Sequence, residues 1–238
     1  GVVIDTDIGL RNLDVIMGLE NRIVYDLVNV IEGKCKMHQA MIRDKHQLEL
    51  FLIPAAQTRD KDSIEPEQLR ELCEKLENEF DYVLMDCPAG IEGGFKNAVA
   101  AAKEAILVTT PEVSAIRDAD RVIGLLEASE LHRPKLIINR IDTNMVKHGD
   151  MMNKDDIVEL LSVEVLGLVP ADEHTITAAN RGIPVVYDKK APSGSAFLRI
   201  AARVDGDEVP FMDLEPRVSI MDRVKGLVGL NGRAYSHA

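Results

Sequence analysis

Three carboxylates stand where apolar runs stop. Asp5 follows Val-Val-Ile, and Asp7 comes after it with one residue between; Asp86 closes DYVLMD and is followed by CPAGIEGG. An acid at the tip of a buried strand can hold the water shell of a Mg²⁺ ion beside a phosphate, and a neighbouring acid can orient an attacking water. Glycines after such an acid let backbone N–H groups approach a phosphate oxygen closely. A single Asp in this place is also a common helix N-cap. An Asp-x-Asp pair could equally mark a glycosyltransferase or a phosphoacceptor site, but neither accounts for the Asp-Cys-Pro-Ala-Gly turn. Three acids at two strand ends, beside one turn, favour phosphate chemistry.

Those acids need strands to carry them, and short apolar runs supply candidates at 2–5, 48–53, 81–86, 105–110, 135–139, 165–169 and 184–187. Several are continuous rather than alternating, the pattern of strands covered on both faces, so a mostly parallel sheet is expected. Helical patterns lie between them at 66–80, 114–130 and 154–162. In the first, Pro66 suits a first turn, and Leu69, Leu72, Leu76 and Phe80 recur at three- and four-residue steps on one face. Strand, helix, strand, repeated, implies right-handed crossovers and an α/β fold with helices on both faces of the sheet.

The chain's 238 residues fit one α/β domain, and with aromatics at 4% and no Trp its core must be aliphatic. The net charge of −12 repels phosphate backbones, so no nucleic acid is expected as a partner. Cys35, Cys73 and Cys87 are widely spaced, which argues against a disulfide framework and fits a reducing cytosol. The histidines show no zinc-ligand spacing. No apolar run reaches the ~18 residues that span a bilayer.

DTDIGLRNLDVIMGLENRIVYDLVNVIEG (5–33), PAAQTRDKD (54–62), DCPAGIE (86–92), TTPEVSAIRDADR (109–121) and VKHGDMMN (146–153) together resemble the MinD septum-site-determining ATPases, within the MinD/ParA family of deviant Walker A ATPases. The likeness runs in order to about Pro210. It implies a P-loop NTPase-like fold of the SIMIBI type and residues 1–210 as the ATPase domain. It further implies ATP and Mg²⁺ as cofactors, an ATP-dependent homodimer, recruitment of MinC, release by MinE, and a cytoplasmic protein that sits peripherally on the anionic inner membrane. By the same likeness Asp7 positions the hydrolytic water, with Asp5 beside it and Asn12 in the same switch. Asp86 acts on Mg²⁺ through water, Gly90 offers a backbone contact near the γ-phosphate, Asn139 reads the adenine edge, and Pro170 and Asp172 lie beside the base. For Pro170 and Asp172 a plain turn role stays equally open. Arg117, Asp118, Asp120 and Arg121 match the helix that binds MinC and MinE; a solvated face laced with ion pairs is the plainer reading of such residues.

No glycine-rich phosphate loop ending in GKS or GKT stands in the sequence; GIEGGFKN lacks that ending. The resemblance places a strand, a KGGVGKT-type loop and a helix ahead of Gly1, so the chain is expected to lack them and to turn over ATP poorly. Two other readings follow: a non-catalytic module that only binds partners, or a ParA-like partitioning ATPase, which the acidic charge disfavours.

The tail, residues 211–238, changes sign. From Arg217 onward Arg217, Arg223, Lys225 and Arg233 face one acid, Asp222. Val218, Met221, Val224, Leu227 and Val228 fall at three- and four-residue steps, which fits a short amphipathic helix lying in an anionic membrane surface. Gly226 and Gly229 make that helix marginal on its own, each by about 1 kcal/mol relative to Ala. Sedimentation with anionic vesicles tests the tail. The full chain is expected to co-sediment more strongly than a chain lacking residues 217–238, and equal partition removes the reading.

Overall fold

The computed structural model describes residues 1–60, 63–91 and 93–214. Among these residues seven strands run in chain order: β1 (Val2–Asp5), β2 (Ile42–Arg43), β3 (Phe51–Ile53), β4 (Val83–Asp86), β5 (Ile106–Thr109), β6 (Lys135–Ile141) and β7 (Glu164–Pro170). Among the described residues ten α-helices accompany them. α1 (Leu13–Ile16), α2 (Leu27–Ile31) and α3 (Met37–Ala40) are short; α4 (Pro66–Glu77), α5 (Gly93–Ala101) and α6 (Val113–Ala128) follow. α7 (Thr143–His148), α8 (Lys154–Leu161), α9 (Glu173–Asn180) and α10 (Pro192–Val204) complete the set.

The strands form two sheets, ordered β2-β3-β1-β4 and β5-β6-β7. Every pairing is parallel except β2 with β3. The mostly parallel α/β fold expected from the apolar runs is therefore present, divided between two sheets. β4 and β5 do not pair with each other among the described residues. Along these two edges Leu84 is 50%, Ile106 43% and Val108 56% exposed, unusually open for strand residues of this size.

Successive strand residues point to opposite faces, and each face here finds a helix. Val2, Ile4 and Ile53 pack with Leu69, Leu72 and Leu76 of α4 and with Leu27 and Val28 of α2. On the other face Val3 and Leu52 meet Leu13, Met17 and Leu19. The second sheet repeats the plan. Leu136 and Ile138 pack on α6 and α8, while Ile137, Leu166 and Val169 pack on Ala196 and Ile200 of α10. None of these clusters draws residues from both sheets.

The expected helices over 66–80, 114–130 and 154–162 match α4, α6 and α8 within a few residues. The strand expected at 184–187 is instead a 3₁₀ turn at Val185–Tyr187, opened by Pro184 and closed by the Tyr187 N–H donating to the Pro184 carbonyl at 3.1 Å. Three apolar residues behind a proline are too few to pair when no neighbouring strand offers an edge. Phe211 and Met212, the start of the expected tail, lie on the body: Phe211 sits under Arg203, and Met212 joins the α10 cluster. The membrane residues Val218, Met221, Val224, Leu227 and Val228 lie outside the described residues. No helix of the described residues is long and apolar enough to cross a membrane.

Gly167 shows how closely β7 and α10 approach. A Cβ there would stand 2.2 Å from Ile200 Cγ1 and 2.4 Å from its Cδ1. Gly167→Ala is expected to destabilise the chain by about 1–3 kcal/mol, as overpacking of a full core does. Urea unfolding of the wild type and the variant checks this, an unchanged midpoint being the contrary result.

Candidate functional site: acids at the strand ends

Parallel pairing of β1 with β4 sets Asp5 opposite Asp86 in register. Neighbouring strands lie about 4.8 Å apart, so the two residues stand side by side at the carboxyl edge of the sheet, where open α/β sheets take ligands. The junction is reinforced beyond the strands. The Thr6 N–H donates to the Asp86 carbonyl at 3.0 Å, and Thr6 Oγ1 donates to the same oxygen at 2.7 Å. The chain then turns sharply, with the Asp7 N–H donating to Asp5 Oδ1 at 3.0 Å and the Gly9 N–H to the Ala56 carbonyl beyond β3 at 2.8 Å. Asp5, Asp7 and Asp86 are thus brought together from two strand ends.

Crowding three acids has an electrostatic consequence. Asp5 is 1% exposed, and its Oδ2 has no hydrogen-bond partner. Burial pushes its carboxyl up to about 6, against the single Asp7 N–H that favours the charged form; the charges of Asp86, Asp7 and Asp14 push it further. Asp86 keeps an exposed edge, yet the protein packed around its carboxyl and the Asp7 charge raise it too. The adjacent Cys87, although exposed, has protein packed around its thiol, and this and then Asp86 and Asp7 push it up to about 11, which disfavours the thiolate at neutral pH.

Asn12 is exposed and opens α1 through its carbonyl, which accepts the Val15 N–H at 3.1 Å; its side chain caps nothing. Two residues on, Asp14 is fully buried and lies 3.0 Å from Arg11 Nε. This ion pair and Thr6 belong to the site and were not singled out from the sequence, although the three-residue step from Arg11 to Asp14 was a usable signal. After β4, Gly90 takes φ +101 with open space where a side chain would stand, leaving its backbone accessible to a ligand. Gly94 at the start of α5 is needed for packing: a Cβ there would meet Pro88 Cγ at 2.5 Å.

The remaining candidates gather at the carboxyl ends of the other sheet. Asn139 and Arg140 bulge out where the β6–β7 register slips, with the Arg140 N–H donating to Asn139 Oδ1 at 2.9 Å. Pro170 ends β7 opposite Ile141. Asp172 caps α9 by accepting the His174 N–H at 3.0 Å, and its Oδ2 accepts the Ser193 N–H and hydroxyl at 3.0 and 2.7 Å. Burial acts to raise Asp172, but these Ser193 and His174 hydrogen bonds outweigh it and hold the carboxyl below its usual range. Its observed contacts are therefore those of a helix cap. Among the described residues no hydrogen bond or ion pair joins this group to Asp5, Asp7 or Asp86. Arg117, Asp118, Asp120 and Arg121 all lie exposed on α6, and none makes an ion pair with another described residue.

No family model matches the sequence. Among solved structures, the MinC:MinD cell division protein complex of Aquifex aeolicus is 45% identical with a TM-score of 0.83, over 89% of this chain and 85% of that one. MinD of Pyrococcus horikoshii OT3, complexed with Mg-ADP, is 26% identical with a TM-score of 0.77, over 86% and 83%. Fold and site together define an α/β protein of the P-loop NTPase type. The septum site-determining protein MinD of Bacillus subtilis is 52% identical over 231 residues, 96% of this chain and 86% of that protein. The chain belongs to the MinD family.

The raised Asp5 carboxyl gives a signed expectation. Its folded value of about 6 lies above the ordinary 3.8, so ionising it opposes folding. That cost is absent below about pH 4 and complete above about pH 6. Asp5→Asn keeps an oxygen for the Asp7 N–H and is expected to gain about 2–3 kcal/mol at pH 7.5. The gain should vanish near pH 3.5; a pH-independent difference in thermal melting would contradict it.

Proposed function

We propose that this chain is a switch of division-site placement that binds ATP with Mg²⁺, pairs with a second copy and recruits the septation inhibitor MinC. The observation that carries the reading is the pairing of Asp5 with Asp86 across β1 and β4, with Asp7 beside them. The donor set suits a hydrated divalent cation. Asp86 at the strand end would hold Mg²⁺ through its water shell. The unpartnered Asp5 Oδ2 is a buried acceptor that such a hydrated ion could satisfy. Bound there, Mg²⁺ would neutralise charge on the β- and γ-phosphates. Asp7 would orient the attacking water, Asn12 would lie in the same segment, and the open backbone at Gly90 would approach the γ-phosphate. Asn139, Pro170 and Asp172 would flank the base from the second sheet.

The relative solved with MinC supports MinC as the partner, and α6 is the surface we assign to it. Arg117, Asp118, Asp120 and Arg121 face solvent there without being consumed by ion pairs, as a recognition surface requires. Release by MinE and attachment to the inner membrane through residues 217–238 complete the cycle. A dimer presenting two weak membrane anchors binds far better than one, which couples nucleotide state to location. The alternative of a partner-binding module without catalysis would keep the α6 surface and dispense with the acids. MinC capture by the immobilised chain tests the surface. Asp118→Arg combined with Asp120→Arg is expected to reduce capture at least tenfold with melting unchanged, and undiminished capture would remove α6 from the account.

A further inference from the structure

The acid-bearing segment touches the second half of the molecule at a place with no spare room. Gly18, after α1, takes φ +64, and Gly182, after α9, takes φ +61. A Cβ on Gly182 would stand 2.8 Å from Gly18 Cα and 3.2 Å from both Gly18 N and the Val15 carbonyl oxygen. A Cβ on Gly18 would meet the Gly182 carbonyl oxygen at 2.5 Å and Lys45 Nζ at 3.2 Å. The two backbones are in direct contact, in a conformation that favours glycine on both sides.

Neither side can retreat easily. The Gly18 N–H donates to the Val15 carbonyl at 3.0 Å, and the Leu19 N–H to that of Asp14, the buried acid, at 2.7 Å. Across the contact the Gly182 N–H donates to the Ala179 carbonyl at 3.0 Å and the Ile183 N–H to that of Ala178 at 3.1 Å. α9 is itself held: Asp172 bonds Ser193, and His174 Nδ1 lies 2.7 Å from Asp188 Oδ2. A second contact braces the junction, the His46 ring lying 4.8 Å from that of Tyr187. These bridges matter because the halves share no hydrophobic cluster and β4 does not pair with β5 among the described residues.

We propose that the Gly18–Gly182 contact is a positioning contact, which fixes residues 5–18, carrying the acids, against residues 170–182, carrying Pro170 and Asp172. It rests on the reading of a nucleotide held between the strand ends of both sheets. Through this contact a displacement at one wall of the pocket is passed to the other, so phosphate and base ends are sensed together.

Hydrogen–deuterium exchange on the full chain tests the contact without nucleotide. Gly182→Ala is expected to speed exchange of the amides of residues 13–19 at least tenfold. Gly167→Ala, which crowds α10 within the same half as Gly182, should leave those amides within twofold of wild type at a comparable melting temperature. Unchanged exchange at 13–19 in Gly182→Ala, or an equal change in Gly167→Ala, overturns the proposal. If Gly182→Ala does not fold, Tyr187→Ala decides: removing the exposed ring should speed exchange at 15–19 and 44–49 at least threefold, and no change overturns it. Titration with a fluorescent ATP analogue and Mg²⁺ then separates the two claims. A fivefold or greater loss of affinity in Gly182→Ala but not in Gly167→Ala supports positioning, and equal affinities overturn it. A wild-type chain that binds no analogue overturns the nucleotide reading alone, and the exchange result then decides the contact by itself.

Discussion

The parallel pairing of β1 with β4 is the constraint from which the site follows. Two short apolar strands, locked in register, deliver Asp5 and Asp86 to the same edge at one strand spacing. Thr6 clamps the arrangement by giving both its N–H and its hydroxyl to the Asp86 carbonyl. Apolar contacts on both faces supply the rigidity: Ile4 packs into the α2/α4 cluster, and Val3 into the cluster on the opposite face. A slip of one residue would turn every inward side chain outward and separate the acids, so packing and chemistry select the same register.

The acids are held at a cost that packing alone does not explain. A buried carboxylate with an unpartnered oxygen, beside two further acids, opposes folding at neutral pH. Such strain persists where a cation or a hydrogen-bonded ligand relieves it, which is the arrangement expected of a phosphate-handling pocket. Asp172, by contrast, has its oxygens occupied by His174 and Ser193 and is at ease in its cap. Acids at the strand ends of the two sheets thus live in opposite electrostatic states, and of these two sites it is the Asp5 cluster that calls for a charged partner.

Much of this was legible in the chain, and the exceptions have physical causes. Continuous apolar runs marked the parallel strands because burial on both faces removes alternation, and the leucine steps of α4 gave its buried face. β2 was missed because two residues make no pattern; it exists only as the antiparallel neighbour of β3. The run at 184–187 failed because Pro184 favours a turn and no strand edge lies beside it. Strand order is not written in local sequence, so neither the division into two sheets nor the adjacency of Asp5 and Asp86 could be read from spacing. The same holds for Gly18 and Gly182, whose contact joins residues far apart in the chain. The amphipathic steps at 218–228 remain a reading of the sequence, since they lie outside the described residues.

A carboxyl-carbon NMR titration of Asp5 in the full chain tests the clustering of acids most directly, because it reads the buried carboxyl without requiring nucleotide, membrane or partner. Asp5 is expected to titrate near pH 6 and to move toward ordinary values when Asp7→Asn removes one neighbouring charge. Titration near pH 4 in the wild-type chain, unmoved by Asp7→Asn, would show that Asp5 is not a buried acid crowded by its neighbours and would contradict the account at its base.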